Sequence, residues 1–386
     1  MCTHIKTADV VEVVSKLVSF QSYNPGSDEY DIANYIKQFM ENLNIPVQLV
    51  PISDRRFNVI ARLKGQGKAK PILFCGHMDV VPVNETEREK WNTDPYTPSI
   101  IGDELYGRGS ADMKGGVGAA MVAMKALHDE GVVPPGDVLF CGTVDEEAVM
   151  LGAKALLQSD ILKDVKHMVI CEPSEMKLFC CCRGRTWADV KVLGESGHAS
   201  IEGVGNNAIT HAIKFVNEIN STKFSIPAHE ILGNVFWQVT MIDGGLEPAI
   251  IPDTCYVTVD ARLIPNTHSE YIWEQVRKIL SRMHEEDPRF NAELHIIESR
   301  EAFECDTALP LVALARQSFE TVNIPIEYGG ASYTTDGAHL GKLDMDMIII
   351  GPGNIATAHR QNEHVPIDQL KQAAEAYYQM MIQNNL

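Results

Sequence analysis

The sequence lacks the features of membrane proteins, secreted proteins and nucleic-acid-binding proteins. It has no apolar run long enough to span a bilayer, and its first residues do not have the basic-then-apolar layout of a signal peptide. Lys and Arg are also scarce, with 33 of them against 52 Asp and Glu, which gives a formal net charge of −19. Nucleic acids and anionic membranes attract clustered cations, so we expect neither as a partner.

Cysteine usage argues against a disulfide framework. The chain has nine cysteines, an odd number. Three of them, Cys180, Cys181 and Cys182, are consecutive, and no CxxC pair occurs. Disulfide scaffolds of secreted proteins use even numbers of spaced cysteines. We therefore expect reduced thiols and a cytoplasmic location.

The length and the order of patterns predict two domains. A chain of 386 residues exceeds what one hydrophobic core usually supports. Helical and strand patterns alternate over 1–177, which is typical of an α/β domain with a mostly parallel sheet. Over 178–292 the order becomes strand, helix, strand, strand, helix, strand, the order of a ferredoxin-like domain. The α/β pattern returns over 293–386, so the second domain is predicted to be an insertion into the first.

The hydrophobic periodicity gives approximate bounds for these elements. In the α/β domain the predicted helices are 8–19, 28–43, 115–130, 150–158, 309–321 and 367–383, and the predicted strands are 47–52, 57–63, 71–76, 137–143, 167–171 and 346–351. In the insertion the predicted elements are strand 178–194, helix 205–219, strands 234–242 and 254–263, helix 269–284 and strand 291–298.

The segment PILFCGHMDVVP, residues 71–82, joins a buried-strand pattern to two residues that suit a metal site. His77 and Asp79 follow the strand directly. Histidine is a common metal ligand, and a metal-bound imidazole usually has a carboxylate on its other ring nitrogen. A single histidine beside a strand is more often a packed or surface residue, so this segment does not by itself establish a site.

Similar residues follow three other strand patterns. They are Asp145, Glu146 and Glu147 after VLFCGTV, Glu172 after KHMVIC, and His359 after MIIIGPGNIATA. Ligands of open α/β sheets bind beyond the carboxyl ends of the strands, so we expect these residues to share one site. Asp112 precedes a segment rich in Gly and Ala at 115–126. Small residues would let a helix pack close to the sheet and hold Asp112 over the same edge.

The residue types indicate metal-assisted hydrolysis. Two histidines with three carboxylates suit zinc, and also manganese or cobalt. Five ligands exceed what one tetrahedral catalytic zinc takes from a protein, whereas two ions about 3.5–4 Å apart with a shared carboxylate accommodate them. One acid of the pair Glu146 and Glu147 is then left over to take a proton from water. A site with a single metal ion is the alternative.

Seven segments resemble the zinc aminoacylase/carboxypeptidase family, which includes acetylornithine deacetylase, succinyl-diaminopimelate desuccinylase, aminoacylases and di- and tripeptidases. They occur in the family's order from about residue 70 to 365: GHMDVVP, LYGRGSADMKGG, TVDEE, CEPSE, GESGHAS, VTVDARLIP and GPGNIATAHRQNE. The resemblance implies a metallopeptidase-like catalytic domain formed by 1–177 and 293–386. It also implies that 178–292 is a lid that forms the dimer interface.

The resemblance implies a role for each candidate residue. One Zn²⁺ (or Co²⁺ or Mn²⁺) would be bound by His77 and Glu172, a second by Glu147 and His359, and both by Asp112 as a bridge. Asp79 would orient the imidazole of His77. Glu146 would be the general base.

Two further roles fall in the inserted domain. His198 would stabilise the oxyanion of the tetrahedral intermediate, in many family members across the dimer. Arg262 matches a position associated with the substrate carboxylate, which a guanidinium can bind through two hydrogen bonds.

The activity implied by the resemblance is removal of the acyl group from a small N-acyl amino acid by a homodimer. A di- or tripeptidase, or a carboxypeptidase, on the same scaffold is the alternative. A non-catalytic relative would be expected to lack a ligand or the base, and none is missing. The family's N-x-x-P segment, which helps to hold the substrate, here reads PAIIPD with Ala249 in place of the asparagine. The identity of the substrate therefore stays open.

Overall fold

The chain forms two compact units in the structure, a computed structural model that describes residues 5–386. The first unit contains the chain up to Cys181, together with Glu304–Ala331 and Thr335–Leu386, and the second contains Cys182–Phe303 and Ser332–Thr334. The first unit is therefore interrupted by the second in the sequence. No helix among residues 5–386 has the length and apolar character needed to cross a membrane.

The secondary structure comprises eighteen strands and ten helices over the described residues, numbered here in chain order. The strands are β1 (Val47–Ser53), β2 (Arg56–Leu63), β3 (Ile72–His77), β4 (Ser99–Ile101), β5 (Glu104–Tyr106), β6 (Val138–Thr143), β7 (His167–Ile170), β8 (Leu178–Cys182), β9 (Gly184–Leu193), β10 (Gly197–His198), β11 (Phe236–Gly244), β12 (Ile250–Ile251), β13 (Thr254–Leu263), β14 (Asn291–Arg300), β15 (Phe303–Glu304), β16 (Tyr328–Ala331), β17 (Asp346–Ile349) and β18 (His364–Pro366). The helices are α1 (Thr7–Val18), α2 (Tyr30–Asn42), α3 (Glu85–Arg88), α4 (Gly115–Asp129), α5 (Leu151–Leu157), α6 (Ala208–Ser221), α7 (Ser269–Glu286), α8 (Pro310–Val322), α9 (Gly337–Leu340) and α10 (Ile367–Ile382).

The main sheet of the first unit is parallel at its centre. Its strand order is β1-β2-β6-β3-β7-β17-β8-β15, with β16 also paired to β8. The four strands β6, β3, β7 and β17 pair in parallel, and β2 and β8 join them antiparallel on either side. Every residue of β3 and β6 is buried, as expected of parallel strands covered on both faces. The α/β class is confirmed, but the sheet is mixed, because only its four central strands are parallel and the strands on either side of them pair antiparallel.

Helix α4 packs against the sheet through the small residues at its start. A Cβ atom on Gly116 would lie 1.9 Å from the carbonyl oxygen of Cys171, which follows β7, and one on Gly118 would lie 2.5 Å from Val14 Cγ2. No other residue fits such close approaches. The turn before the helix, Ser110–Lys114, is thereby held at the carboxyl ends of the central strands.

A small antiparallel sheet in the first unit was not predicted. It has the order β18-β5-β4, and each of its strands has three residues. Strands of that length carry too little periodicity to be recognised. The pairing of β18 with β5 joins the chain after His359 to the chain before Asp112.

The second unit has the predicted order of strands and helices, β9-α6-β11-β13-α7-β14. Its four-stranded antiparallel sheet has the order β11-β13-β9-β14. Strand β9 alternates buried and half-buried residues, and β13 alternates buried and more exposed residues with one interruption of three consecutive buried residues, because one face of the sheet is covered by α6 and α7. Two short strands, β10 and β12, form a separate pair.

The prediction of one strand over 178–194 is wrong. The segment forms two strands, and the first of them, β8, pairs with β17 in the sheet of the first unit. Arg183 lies between them, and its guanidinium donates hydrogen bonds to the carbonyls of Leu232 and Asn234. At the carboxyl end of the insertion, strand β14 extends to Arg300, beyond the domain boundary that was predicted between residues 292 and 293. A continuous apolar pattern does not reveal where a chain passes from one sheet to another.

The cysteines of the described residues form no disulfide. All eight of them are buried free thiols, and Cys2 lies outside the described residues. Burial raises the pKa of Cys171 to about 12. A buried thiol with a raised pKa is chemically inert, so these cysteines act as packing residues.

Candidate active site

The four central parallel strands end at one edge of the sheet, and a candidate residue lies at or shortly after the end of each strand. His77 is the last residue of β3, Glu146 and Glu147 follow β6, and Glu172 follows β7. His359 comes after β17 and a short loop. Because these strands are neighbours and point the same way, their carboxyl ends bring residues distant in sequence together.

Asp112 lies between the two histidines. Its Oδ1 is 3.0 Å from Nε2 of His77, and its Oδ2 is 3.3 Å from Nε2 of His359. Each carboxylate oxygen thus faces a different imidazole. This is the arrangement of a carboxylate that bridges two metal ions.

Each histidine also has a second carboxylate nearby. Glu147 Oε1 is 2.9 Å from His359 Nε2, and Glu172 Oε1 is 3.8 Å from His77 Nε2. Ligand atoms of His77, Asp112 and Glu147 all lie within 4.8 Å of one another and could hold a metal ion. The pairing of histidines and acids is the one that the sequence resemblance implies.

The pKa values show that the cluster carries excess negative charge. Burial raises the pKa of Glu172 well above its usual value, and the nearby charge of Asp112 adds to this. Burial and Asp112 likewise raise the pKa of Glu147. Burial alone would lower the pKa of His359, but hydrogen bonds to Asp112 and Glu147 raise it to about 11. Crowded carboxylates of this kind favour a bound cation.

The donor set fits divalent metal ions. Two imidazole nitrogens and three carboxylates are ligands that zinc, cobalt and manganese accept. His77, Asp112 and Glu172 are each less than a tenth exposed, whereas the His359 side chain is 49% exposed. One side of the cluster therefore faces solvent, where a substrate could reach it.

Asp79 contacts His77 differently from what was expected. The closest partner of His77 Nδ1 is the backbone carbonyl of Asp79, at 2.9 Å, and the Asp79 carboxylate is 3.7 Å away. That carboxylate accepts hydrogen bonds from the backbone N–H groups of Glu146 and Glu147, at 3.1 and 3.2 Å. Asp79 therefore supports the histidine through its main chain and the two glutamates through its side chain.

Asp145 lies in an ion network below the glutamate pair. Its carboxylate accepts hydrogen bonds from Arg56 Nη1, at 2.7 Å, and from the side-chain amide of Asn24, at 2.5 Å. Arg56 also pairs with the fully buried Glu29 at 3.0 Å. Asp145 has a positive φ of 67°, which starts the tight turn that aims the next two residues at the cluster. Sequence reasoning placed Asp145 among the possible ligands and missed Arg56, because its partner is 89 residues away.

His198 belongs to the second unit and is exposed on the short strand β10. Its Nδ1 accepts hydrogen bonds from the backbone N–H of Ser200, at 3.3 Å, and from the Ser200 hydroxyl, at 2.8 Å. Because a backbone N–H can only donate, Nδ1 carries no proton, and the neutral ring has its proton on Nε2. His198 can therefore donate a hydrogen bond through Nε2.

The chain around His198 also contains the segment that departs from the resemblance. The backbone N–H of Ala199 donates to the carbonyl of Ala249 at 3.0 Å, and His198 pairs with Ile250. Arg262 lies on β13 in the same unit, where its Nη2 is 2.9 Å from the carboxylate of Asp260. The Arg262 side chain is 27% exposed, which leaves part of the guanidinium accessible.

Comparison of sequences relates the chain to hydrolases of amide bonds. A model of peptidase family M20/M25/M40 matches residues 73–383. A probable succinyl-diaminopimelate desuccinylase of Staphylococcus aureus is 24% identical over 99% of this chain and 98% of its own length. An acetylornithine deacetylase of Aliivibrio salmonicida is 28% identical over 93% of this chain and 94% of its own length.

Solved structures share the fold over nearly the whole chain. Aminopeptidase PepT of Bacillus cereus gives a TM-score of 0.81 at 18% identity and covers 99% of this chain and 100% of its own. The YXEP protein of Bacillus subtilis, described as a dinuclear metal-binding peptidase, gives a TM-score of 0.77 at 14% identity and covers 98% of each chain. At such identities the likeness is one of fold.

Proposed function

This chain belongs to peptidase family M20/M25/M40, and from that membership we propose that it is a two-metal hydrolase that removes the acyl group from small N-acyl amino acids. The observation that carries the proposal is the placement of Asp112 between His77 and His359, with one carboxylate oxygen toward each. The names of the relatives that match most of the chain, a desuccinylase and a deacetylase, support the choice of substrate class.

We assign the ligands of two metal positions. The first position is formed by His77 and Glu172, the second by Glu147 and His359, and Asp112 contributes to both. Zinc is the metal that we expect, and cobalt and manganese suit the same ligands. When bound, two such ions would polarise the amide carbonyl and lower the pKa of water.

Glu146 is the proposed general base. It is the acid of the pair that the two metal positions do not use, and it is close enough for its charge to help raise the pKa of Glu172. A carboxylate at this place takes a proton from the attacking water and passes it to the nitrogen of the leaving amine. The hydrogen bonds from the backbone of Glu146 and Glu147 to Asp79 keep the base in place.

His198 and Arg262 are the proposed substrate contacts of the second unit. The Nε2 proton of His198 is suited to donate to the oxyanion that forms as the carbonyl is attacked. The accessible part of the Arg262 guanidinium is suited to the carboxylate of the amino-acid product.

We further propose a homodimer formed through the second unit. Strand β11 is at the edge of its sheet, and it carries the exposed apolar side chains of Met241 and Ile242, 65% and 53% exposed. Leu246, shortly after the strand, is 85% exposed. A strand at the edge of a sheet can pair with another chain, and exposed apolar surface marks sites of protein–protein contact. The free buried thiols support the expected cytoplasmic location.

A panel of substrates tests the function. Purified enzyme is incubated with N-acetyl and N-succinyl amino acids, and with di- and tripeptides, and the released amines are quantified together with the metal content of the same sample. We expect turnover of one or more N-acyl amino acids and about two metal ions per chain. Removal of the metal with a chelator should abolish the activity, and addition of Zn²⁺ or Co²⁺ should restore it.

Two results of the panel would change the conclusion. Release of products from peptides alone would identify the enzyme as a peptidase on the same scaffold. Full activity with one metal ion per chain would refute the two-metal proposal and favour a hydrolase with a single metal ion.

A further inference from the structure

The Glu363 carboxylate is bound by backbone amides of the loop that carries Asp112. Its Oε1 accepts hydrogen bonds from the N–H groups of Gly109, Ala111 and Asp112, at 3.0, 3.1 and 3.1 Å. Glu363 is 1% exposed, so water does not compete for these donors. Backbone N–H groups that converge in this way form a nest for an anion, and here the anion is supplied by the chain itself.

The loop is built to converge on this carboxylate. Gly109 has a φ of +84°, a conformation that glycine adopts without strain. A Cβ atom at Gly109 would also lie 2.5 Å from Val80 Cγ1. The loop that presents these N–H groups to Glu363 therefore requires glycine at position 109.

A buried arginine completes the arrangement. Arg108 donates a hydrogen bond from Nη1 to the second oxygen of Glu363, at 2.7 Å, and from Nη2 to Glu87, at 2.5 Å. Arg108 is itself 1% exposed. The charge of Glu363 is thus compensated in the interior, which is a condition for keeping a carboxylate ionised there.

Glu363 connects two ligands that are far apart in sequence. It lies four residues after His359, and it holds the backbone of Asp112, whose side chain faces that histidine at 3.3 Å. The next residue, His364, pairs with Tyr106 of β5. The segment after His359 and the loop before Asp112 are therefore joined by a carboxylate in addition to the small sheet.

We propose that Glu363 is a positioning residue that sets the distance between Asp112 and His359 and thereby the affinity of the second metal position. This inference rests on the proposed two-metal function. The first position shares Asp112 and so also depends on Glu363, but to a smaller extent, because its other two ligands, His77 and Glu172, lie at the ends of strands of the main sheet. His359 lies on a loop and is half exposed, so its place relative to Asp112 has to be set by contacts such as this one.

Calorimetric titration of the metal-free protein with Co²⁺ tests the proposal, with metal content measured after dialysis. We expect Glu363→Ala to weaken the second binding event by about 10- to 100-fold, the usual effect of removing a residue that supports a ligand, and to weaken the first binding event by less. Glu363→Gln retains an acceptor for the amides, so its second affinity should lie between those of the wild type and the alanine variant. Glu87→Gln is the matched control, because it removes the negative charge of the other partner of Arg108 and none of the amide contacts, and it should bind both ions as the wild type does.

The outcomes separate this proposal from the one on which it rests. Binding of a single ion by the wild-type protein would overturn both proposals. Two ions in the wild type with unchanged affinities in folded Glu363→Ala would overturn the role of Glu363 alone. Equal weakening in Glu363→Ala and Glu87→Gln would also overturn it, since the effect would then come from Arg108. If Glu363→Ala does not fold, Glu363→Gln decides, because a weaker second site supports the role and two unchanged sites refute it.

Discussion

Glu146 and Glu147 are adjacent in the chain and nevertheless differ in their surroundings. Glu147 contacts His359 at 2.9 Å, whereas Glu146 is buried beside the cluster with its backbone fixed by Asp79. The turn that starts at Asp145 directs the two side chains differently. Two neighbouring residues of the same type can therefore have separate roles, one as a ligand and one as a base.

Replacement of Glu146 by glutamine should abolish most of the turnover and leave the metal content unchanged. Glutamine has the same shape but cannot accept the proton from water, and the loss of a general base typically costs about 10²–10⁴ in rate. Steady-state kinetics and metal analysis on one preparation measure both effects. Glu147→Gln is the control, for which we expect less bound metal. A Glu146→Gln variant with full activity would refute the assignment of the base.

The Glu29 carboxyl should make stability depend on pH. Burial raises its pKa from 4.5 to about 7, with a further contribution from the Asp79 charge. Between about pH 4.5 and pH 7 the folded protein therefore keeps a proton that the unfolded chain has lost. The stability contributed by this group falls as the pH rises across this range, and it is lost once the pH has passed about 7. Relative to Glu29→Gln, the free energy of unfolding of the wild type should fall by at most about 1.4 kcal/mol per pH unit.

Denaturant unfolding of both proteins at several pH values measures this difference. Glu41→Gln, at an exposed residue paired with Lys37, serves as the control and should follow the wild type. Parallel stability curves for wild type and Glu29→Gln would contradict the prediction.

The sequence predicted which candidate ligands the fold brings together better than the contacts that support them. Each candidate ligand lies at or after the end of a strand of the main sheet, or in the turn before α4. Local sequence patterns are sufficient to predict these locations. The partners of Asp79, Asp145 and Glu363 depend on backbone atoms and charges brought close by the fold. Glu363 and the amides that it binds are more than 250 residues apart, a relation that no local pattern contains.

At the level of elements, the long helices and strands were predicted to within a few residues because their apolar periodicity is strong. The errors lie at the passage from β8 to β9, where pattern and topology are independent, and at short elements that were not predicted, which are the four-residue helices α3 and α9 and most of the strands of two to four residues. Helix α4 was placed correctly because its small residues have one evident use, which is close packing.

Replacement of Gly116 by alanine should destabilise the first unit more than the same change at Gly118. The new Cβ would meet the backbone oxygen of Cys171 at 1.9 Å, whereas at Gly118 it would meet a side-chain atom of Val14 at 2.5 Å. A side chain can rotate, but the backbone beside Glu172 cannot move freely. We expect a loss of about 1–3 kcal/mol in the free energy of unfolding for Gly116→Ala.

Thermal and denaturant unfolding of the two variants compare these costs directly. Metal affinity should also fall in Gly116→Ala, because Cys171 precedes a proposed ligand. An equal or larger loss of stability in Gly118→Ala would show that the backbone contact is not the limiting one.

At the scale of the whole molecule, the proposed dimer can be tested by complementation. His198→Ala alone should lower turnover by about 10²–10³, as removal of an oxyanion donor does. If His198 acts in the partner's site, a mixed dimer of Glu146→Gln and His198→Ala subunits contains one complete site. An equal mixture after subunit exchange should then show about a quarter of wild-type activity, since half of the dimers are mixed and each has one of two sites intact.

Each variant treated alone by the same exchange procedure provides the background. Activity of the mixture that does not exceed this background would indicate that His198 acts within its own chain. A monomeric wild-type protein in light scattering would exclude the dimer itself.

The second unit leaves the main sheet after β8 and returns at β15, and these two strands are neighbours there. The backbone N–H of Cys305 donates to the carbonyl of Cys180 at 2.7 Å, so the two points of exit and return are held together by the first unit. An inserted domain with adjacent ends can be lost, lengthened or exchanged in evolution without rethreading the sheet that carries the proposed metal ligands. Selection for new substrates could thus act on the inserted unit, about a third of the chain, while the proposed metal ligands of the first unit were inherited unchanged.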